Sequence, residues 1–369
     1  METTQLLQER LKLVLDAAAL EKPDRTPVVL EYSAFAAYAA GRSMADFVSS
    51  PARATEIMIE ARHKVGGGDA MNYGTFTPHS LSYLFMSKVR TPGHELPDND
   101  IWQVDEKELM TRDDYDLIRE MGWPGFLDRF MAERVFNDLP EALRPENLPR
   151  GNTRRAWAEI GVPVLMGGDV TTPLELLSGG RTMMGFITDL FEIPDTVEAA
   201  MESICPHLAK VACRRAKAAG FPAVWVGGWR AAPSMLSPAL WDRFAWPYFK
   251  RLVEEVVEMG LIAILHLDAN WTSRLDRFRE LPGGRCIMSL DGETDIFQAK
   301  RIVGDHLCLM GDVPAALLYL GEPAEVRDYC RKLIREIGPE GFILQSGCDI
   351  PANAKLENAR AMVETALDA

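Results

Sequence analysis

From Val162 onward the chain repeats one pattern, a short apolar run that ends on polar residues and is usually followed by a helical stretch. The runs occupy residues 162–169 (VPVLMGGD), 223–228 (AVWVGG), 261–268 (LIAILHLD), 286–291 (CIMSLD), 307–312 (LCLMGD) and 341–349 (GFILQSGCD). Mostly apolar runs of this length suit strands buried on both faces of a parallel sheet. Two earlier runs have the same character, Thr26–Tyr32 with Pro27 at its start and the shorter Asp69–Tyr73, which brings the count to eight. Strands alternating with helices imply parallel pairing, and eight of them close most simply into a (β/α)8 TIM barrel of the α/β class. An open doubly wound sheet is the other arrangement, but the first strand-to-helix turn lacks the GxGxxG stretch of a dinucleotide fold.

Helix signals fill the intervals. Pro51–Lys64 reads as a helix broken by Gly66–Gly68. Ser237–Met259 has Ser237 and Pro238 at its start and Gly260 at its stop, and Glu322–Ile337 again has proline in the first turn and glycine just past the end. The long interval between the second and third runs, about residues 74–160, is too long for a bare loop. It is expected to be a helical insertion between strands 2 and 3, with helices near 113–121 and 124–135, that partly lids a single domain spanning residues 1–369.

Composition narrows the function. The net charge of −14 gives no basic surface for nucleic acid and disfavours an anionic membrane. The opening METTQLLQERLKLVLDAAAL mixes charges among its leucines at helical spacing, unlike a secretion signal or a membrane span. These features place the chain in the cytoplasm. The six cysteines (205, 213, 286, 308, 330 and 348) are scattered without a CxxC, as reduced thiols are.

In a barrel of this type the active site lies at the C-terminal ends of the strands. Glu31, Asn72, Asp169, His266, Asp268, Asp291, Asp312 and Cys348 gather there. His266 and Asp268, two residues apart, share one face of an extended strand. Cys348 joins them if the two strands belong to one barrel, and nitrogen, oxygen and sulfur donors then stand together as candidate zinc ligands. The same residues would also suit a core histidine, a helix-capping aspartate and a small packed thiol. Cys308, in the middle of its run, reads as packing. Asp169 and Asp291 are candidates for acid–base work, and Tyr73, Trp225, Trp229 and Trp271, with Glu31 and Asn72, for substrate contacts.

Three segments resemble the uroporphyrinogen decarboxylase superfamily, which includes cobamide-dependent methyltransferases. They are AAGRSMADFVSSPARATEIMIEARHKVGGGDAMN, LSPALWDRFAWPYFKRLVEEVVEMGLIAILHLDAN, and the stretch from GDVPAALLYLGEP to SGCDIPANAKLENARAMV. The resemblance implies a (β/α)8 barrel. It also separates two branches. The decarboxylases carry an RQAGR-like segment whose arginine grips substrate carboxylates, whereas AAYAAGRS here keeps Gly41 and Arg42 and lacks the RQ pair. The methyltransferase branch carries a His-x-Cys pair with a distant Cys in the SGC loop. His266 and Cys348 match it, and Asp268 departs from it.

A carboxylate in place of a thiolate leaves zinc a harder Lewis acid, better suited to polarising an ether oxygen. The resemblance, read with that exchange, implies a zinc-dependent methyltransferase of the O-demethylase kind, acting on a small methoxylated, aromatic compound. No DxHxxG motif is present, His306 having no glycine three residues on, so the corrinoid is expected on a separate corrinoid-binding protein. Alternatives are a metal-assisted decarboxylase or lyase on a small carboxylic acid, and a methylcobamide:thiol methyltransferase. A homodimer is also compatible with the sequence.

Overall fold

The computed structural model describes residues 3–368. Its barrel strands are β1 (Val29–Leu30), β2 (Ala70–Met71), β3 (Met166–Thr171), β4 (Ala223–Gly228), β5 (Ile262–Leu267), β6 (Cys286–Leu290), β7 (Cys308–Val313) and β8 (Phe342–Ser346). Strands β3 to β8 form one parallel ladder in chain order, and β1 pairs with β2 in parallel. Parallel bridges Met71↔Val164 and Val28↔Leu344 join the two pieces on both sides. The backbone bonds Leu165 N→Met71 O and Leu344 N→Pro27 O, each 2.9 Å, complete the ring. The fold is therefore the expected closed barrel. β1 and β2 are shorter than their apolar runs because the rest of each run meets its neighbours through single bonds. Pro27, with no N–H, can only accept there.

The third run starts its ladder late, at Met166, and its register against β4 shifts between Met166 and Asp169. Gly167 and Gly168 fill the irregularity. A Cβ at Gly168 would lie 2.7 Å from the Ala212 carbonyl, so the helix Pro194–Ala219 packs directly onto this strand's backbone. The predicted helix at 124–135 is Trp123–Phe130 continued by a π turn, Met131–Val135, and the one at 237–259 likewise contains a π turn, Trp241–Ala245. No helix is long and apolar enough to cross a membrane, among the described residues.

Two hydrophobic clusters hold the barrel. The larger fills the space between strands and outer helices. The smaller lies inside the ring and gathers Val29, Ala70, Leu165, Ala223, Ile264, Ile287, Cys308, Met310 and Ile343 around Val14, Ala17 and Ala18 of the helix Thr3–Ala18. Most of these strand residues sit near strand starts, so the N-terminal helix plugs the floor of the barrel. Cys308 is part of this floor, as its mid-run position suggests.

The stretch after β2 contains the helices Leu81–Phe85 and Asp113–Met121, and a short antiparallel pair, Val89–Arg90 with Gln103–Val104. It is clamped to the helix Pro173–Arg181 and its successor by buried charge. Asp189, fully buried, accepts from Arg181 Nε (2.7 Å), Arg112 Nε (2.7 Å) and Tyr115 Oη (2.9 Å).

Candidate metal centre

Side chains along a strand alternate between faces, so the residues two past the apolar floor point the same way, into the barrel. They are Glu31, Asn72, His266, Ser289, Asp312 and Gln345, every one at most 5% exposed. A polar layer thus lies directly above the apolar floor, and its register places Gly227, His266 and Ser289 side by side on β4, β5 and β6.

His266 is the centre of this layer. Its Nε2 stands 3.2 Å from Asp268 Oδ1 and 3.7 Å from Cys348 Sγ, and the three donor atoms lie within 4.8 Å of one another. Its other nitrogen, Nδ1, faces Glu31 Oε1 at 3.8 Å, close enough for charge attraction but too long for a hydrogen bond, and has no other partner. Glu31 is itself held in place. Its Oε2 accepts from Asn72 Nδ2 at 2.6 Å and from Gln345 Nε2. Burial on its own would lower the His266 pKa. The bonds to Asp268 and Cys348 and the charge of Glu31 outweigh it and hold the imidazole well above its ordinary value. Burial raises the Cys348 thiol despite the pull of His266.

Asp268 is placed by a turn just past β5. Ala269 adopts φ +65°, a left-handed conformation that costs a non-glycine residue about 1–2 kcal/mol. Asp291 and Thr294 hold it there. Asp291 Oδ2 accepts from Ala269 N at 2.7 Å, its Oδ1 from Glu293 N at 2.9 Å, and Thr294 Oγ1 donates to Ala269 O at 3.1 Å. Trp271 closes the turn by donating from Nε1 to Asp268 O at 2.8 Å. Cys348 sits in the loop after β8, which Ile350 N ties to Glu31 O at 2.9 Å and Ser346 Oγ ties to Cys348 O at 2.6 Å.

The donor set suits zinc. Bonds of about 2.0–2.3 Å at tetrahedral angles separate donor atoms by roughly 3.3–3.6 Å, close to the 3.2 and 3.7 Å found around His266 Nε2. The Asp268 side chain is 36% exposed, so the cluster opens on one side, as a catalytic zinc site with three protein ligands does.

The remaining sequence-predicted residues divide into two groups. Glu31, Asn72 and Tyr73 lie at the cluster, and Trp225 packs on His266 with ring centroids 5.2 Å apart and planes 31° apart. Trp229 follows at 6.2 Å from Trp225 and meets Phe85 of the insertion at 5.1 Å, which makes an aromatic line from insertion to imidazole. The expectation for Trp271 as a pocket wall is corrected. The left-handed turn at Ala269 carries it off the inner face, and its fully buried ring packs with Phe249 and Phe278. Asp291 is corrected too, since both its oxygens are engaged by backbone amides and it positions the turn. Asp169, an exposed residue, pairs in register with Trp225 but makes no hydrogen bond or ion pair with the cluster among the described residues.

Sequence reasoning missed Ser33, Gln345 and Asp349. Asp349 accepts from Ser33 Oγ and Tyr73 Oη. Its place directly after Cys348 was the available signal. Arg42, retained after Gly41, is exposed and bonded to Glu60 at 3.1–3.2 Å.

Comparison with known proteins gives three findings. The family profile for uroporphyrinogen decarboxylase matches residues 152–368. Among curated proteins, the uroporphyrinogen decarboxylase of Gloeobacter violaceus is 28% identical over 179 residues, 47% of this chain and 49% of that protein. The methylcobamide:CoM methyltransferase MtbA of Methanosarcina acetivorans is 26% identical over 136 residues, 37% of this chain and 39% of that protein. The chain thus spans about half the length, or less, of these relatives. Among solved structures, a methyltransferase from Methanosarcina mazei superposes with a TM-score of 0.73 at 17% identity, covering 98% of both chains.

Proposed function

Given that the chain belongs to the uroporphyrinogen decarboxylase family, we propose that it is a zinc-dependent methyltransferase, moving a methyl group from a small methoxylated aromatic compound to a corrinoid carried by a separate protein. The observation that carries this reading is the meeting of His266 Nε2, Asp268 Oδ1 and Cys348 Sγ, one donor of each kind, on the open side of a buried polar layer. The likeness to MtbA supports methyl transfer, and the missing RQ pair before Gly41 argues against gripping a polycarboxylated tetrapyrrole.

His266, Asp268 and Cys348 would hold the zinc, which when bound supplies a Lewis acid for the ether oxygen. The corrinoid supplies the nucleophile that ordinary side chains lack. Glu31, fixed by Asn72 and Gln345, faces His266 Nδ1 and keeps Nε2 turned towards Asp268 and Cys348. Trp225 and Trp229 offer flat faces for an aromatic ring beside the imidazole. With the partner protein bound, the methyl–oxygen bond would break with its electron pair left on oxygen, the methyl would leave to the acceptor, and the phenolate would take up a proton. The insertion, through Phe85, closes the aromatic line from above and serves as a lid.

The test is a two-component assay. Purified protein should contain stoichiometric zinc and leave a methoxyarene untouched alone. With a reduced corrinoid protein it should release the phenol while the corrinoid spectrum changes. Absence of bound zinc after expression in zinc-supplemented medium, or brisk methylation of a free thiol with no attack on ethers, would refute the reading.

A further inference from the structure

Glu175 is fully buried, and its carboxylate takes up three successive backbone N–H groups of the loop after β4. Its Oε1 accepts from Trp229 N and Ala231 N, each at 2.8 Å, and its Oε2 from Arg230 N at 3.1 Å. Successive N–H groups that converge in this way make a concave anion-binding turn, filled here by a side chain of the same molecule. Thr172 to Glu175 has the spacing of a capping box, and Thr172 Oγ1 accepts from Glu175 N at 3.4 Å. In such a box the glutamate turns back to the N–H of the cap residue. Glu175 reaches across to the loop of the next strand instead. Arg230 braces the same loop by donating from Nη1 to the Ser178 carbonyl at 2.7 Å, on the helix that carries Glu175.

The first residue of this loop is Trp229. The edge of its ring lies over Gly227, where a Cβ would fall 2.6 Å from it, and Gly227 stands beside His266 in the ladder. Resting on the methyl-transfer reading above, we infer that Glu175 is a positioning residue: by pinning three amides it fixes where the Trp229 ring sits, and with it where the aromatic ring of the substrate is held beside His266. It acts through Trp229 and touches neither the substrate nor the three metal donors.

Glu175→Gln keeps the shape but sets an amide N–H against a backbone N–H. The variant is expected to hold as much zinc as the wild type. In the two-component assay with 2-methoxyphenol its KM should rise about tenfold while kcat stays within about twofold, because Trp229 grips the ring equally before and during bond breaking. The wild type offers a second measurement that needs no variant. Burial pushes the Glu175 carboxyl up to about 7 despite its three amide bonds, and the charged side chain facing it is that of Arg230, which also meets Glu106 at 3.4 Å. As pH falls from about 8 to 6 the carboxyl takes a proton and gives up an acceptor. Hydrogen exchange of the amides of residues 229–231, corrected for the intrinsic effect of pH, should then quicken. A Glu175→Gln enzyme with wild-type KM, or one that has lost its zinc, would overturn this inference and leave the methyl-transfer reading intact. Where the variant does not fold, corrected exchange that is the same at both pH values does so. A wild-type protein inert in the two-component assay would overturn the methyl-transfer reading itself, and this inference with it.

Discussion

Nε2 of His266 lies 3.7 Å from Sγ of Cys348, although 82 residues separate them. The contact exists because β5 and β8 end at the same mouth, with β6 and β7 between them. Neither residue is a metal ligand by itself; the barrel makes them a pair.

Removing one donor should therefore remove the metal. Asp268→Ala and Cys348→Ala are expected to leave purified protein with far less than one zinc per chain, with the thermal transition still cooperative. Asp268→Cys should keep zinc but slow ether cleavage, because a softer donor weakens the Lewis acid. Metal content by mass spectrometry and stopped-flow corrinoid spectra check both. Full zinc in Asp268→Ala would show that the site is misplaced.

In the proposed site Glu31 would act on the metal through His266. Glu31→Gln is expected to weaken zinc binding about 10- to 100-fold, the usual effect of losing a carboxylate behind a ligating histidine. Chelator competition measures it. An unchanged zinc affinity would limit Glu31 to barrel packing.

Asp312 gives a pH signature. It is buried, with Tyr329 Oη donating at 2.8 Å, and burial pushes its carboxyl up to about 7 despite that bond. A carboxyl whose folded pKa exceeds its unfolded value holds its proton better when folded. Its contribution is complete below the unfolded value of 3.8, declines as pH rises from there to about 7, and is flat above. Each unit of the shift corresponds to about 1.4 kcal/mol. Asp312→Asn should flatten this part of the stability–pH curve, as read by urea melts from pH 4 to 8.

Gly179 fixes how the insertion sits. A Cβ there would fall 1.9 Å from the Phe85 carbonyl oxygen, so backbone must move. Gly179→Ala is expected to cost about 1–3 kcal/mol and to shift Phe85 away from Trp229, visible as a lower Tm and altered tryptophan emission. A variant with unchanged Tm and emission would mean that the insertion docks elsewhere.

Much of this architecture is legible in the sequence because its signals are local. The apolar runs mark the strands, and the two-residue spacing of His266 and Asp268 already puts them on one face. Where local periodicity stops, so does the reading. Trp271 follows its apolar run in the sequence and so reads as a pocket wall, but the strand ends at Leu267 and Ala269 turns left-handed. Gln345 and Asn72 were not linked to Glu31, since the contacts cross 314 and 41 residues and nothing near either residue announces them. The floor plug escaped notice for the same reason. Its helix was predicted, but a helix's own pattern does not say which cavity it fills.

The ring closes where β1 meets β8, and the Glu31–Gln345 bond crosses that seam. During synthesis, His266 is made long before Gln345 and Cys348, and the carboxylate behind it has no anchor on that side until the last strand arrives. The proposed metal pocket and the closed ring thus come into being in one event, late and over long range, a slow step by its topology. Zinc capture would then act as a clock for folding. A refolding chain should acquire metal only in its final phase, at the rate at which native fluorescence appears.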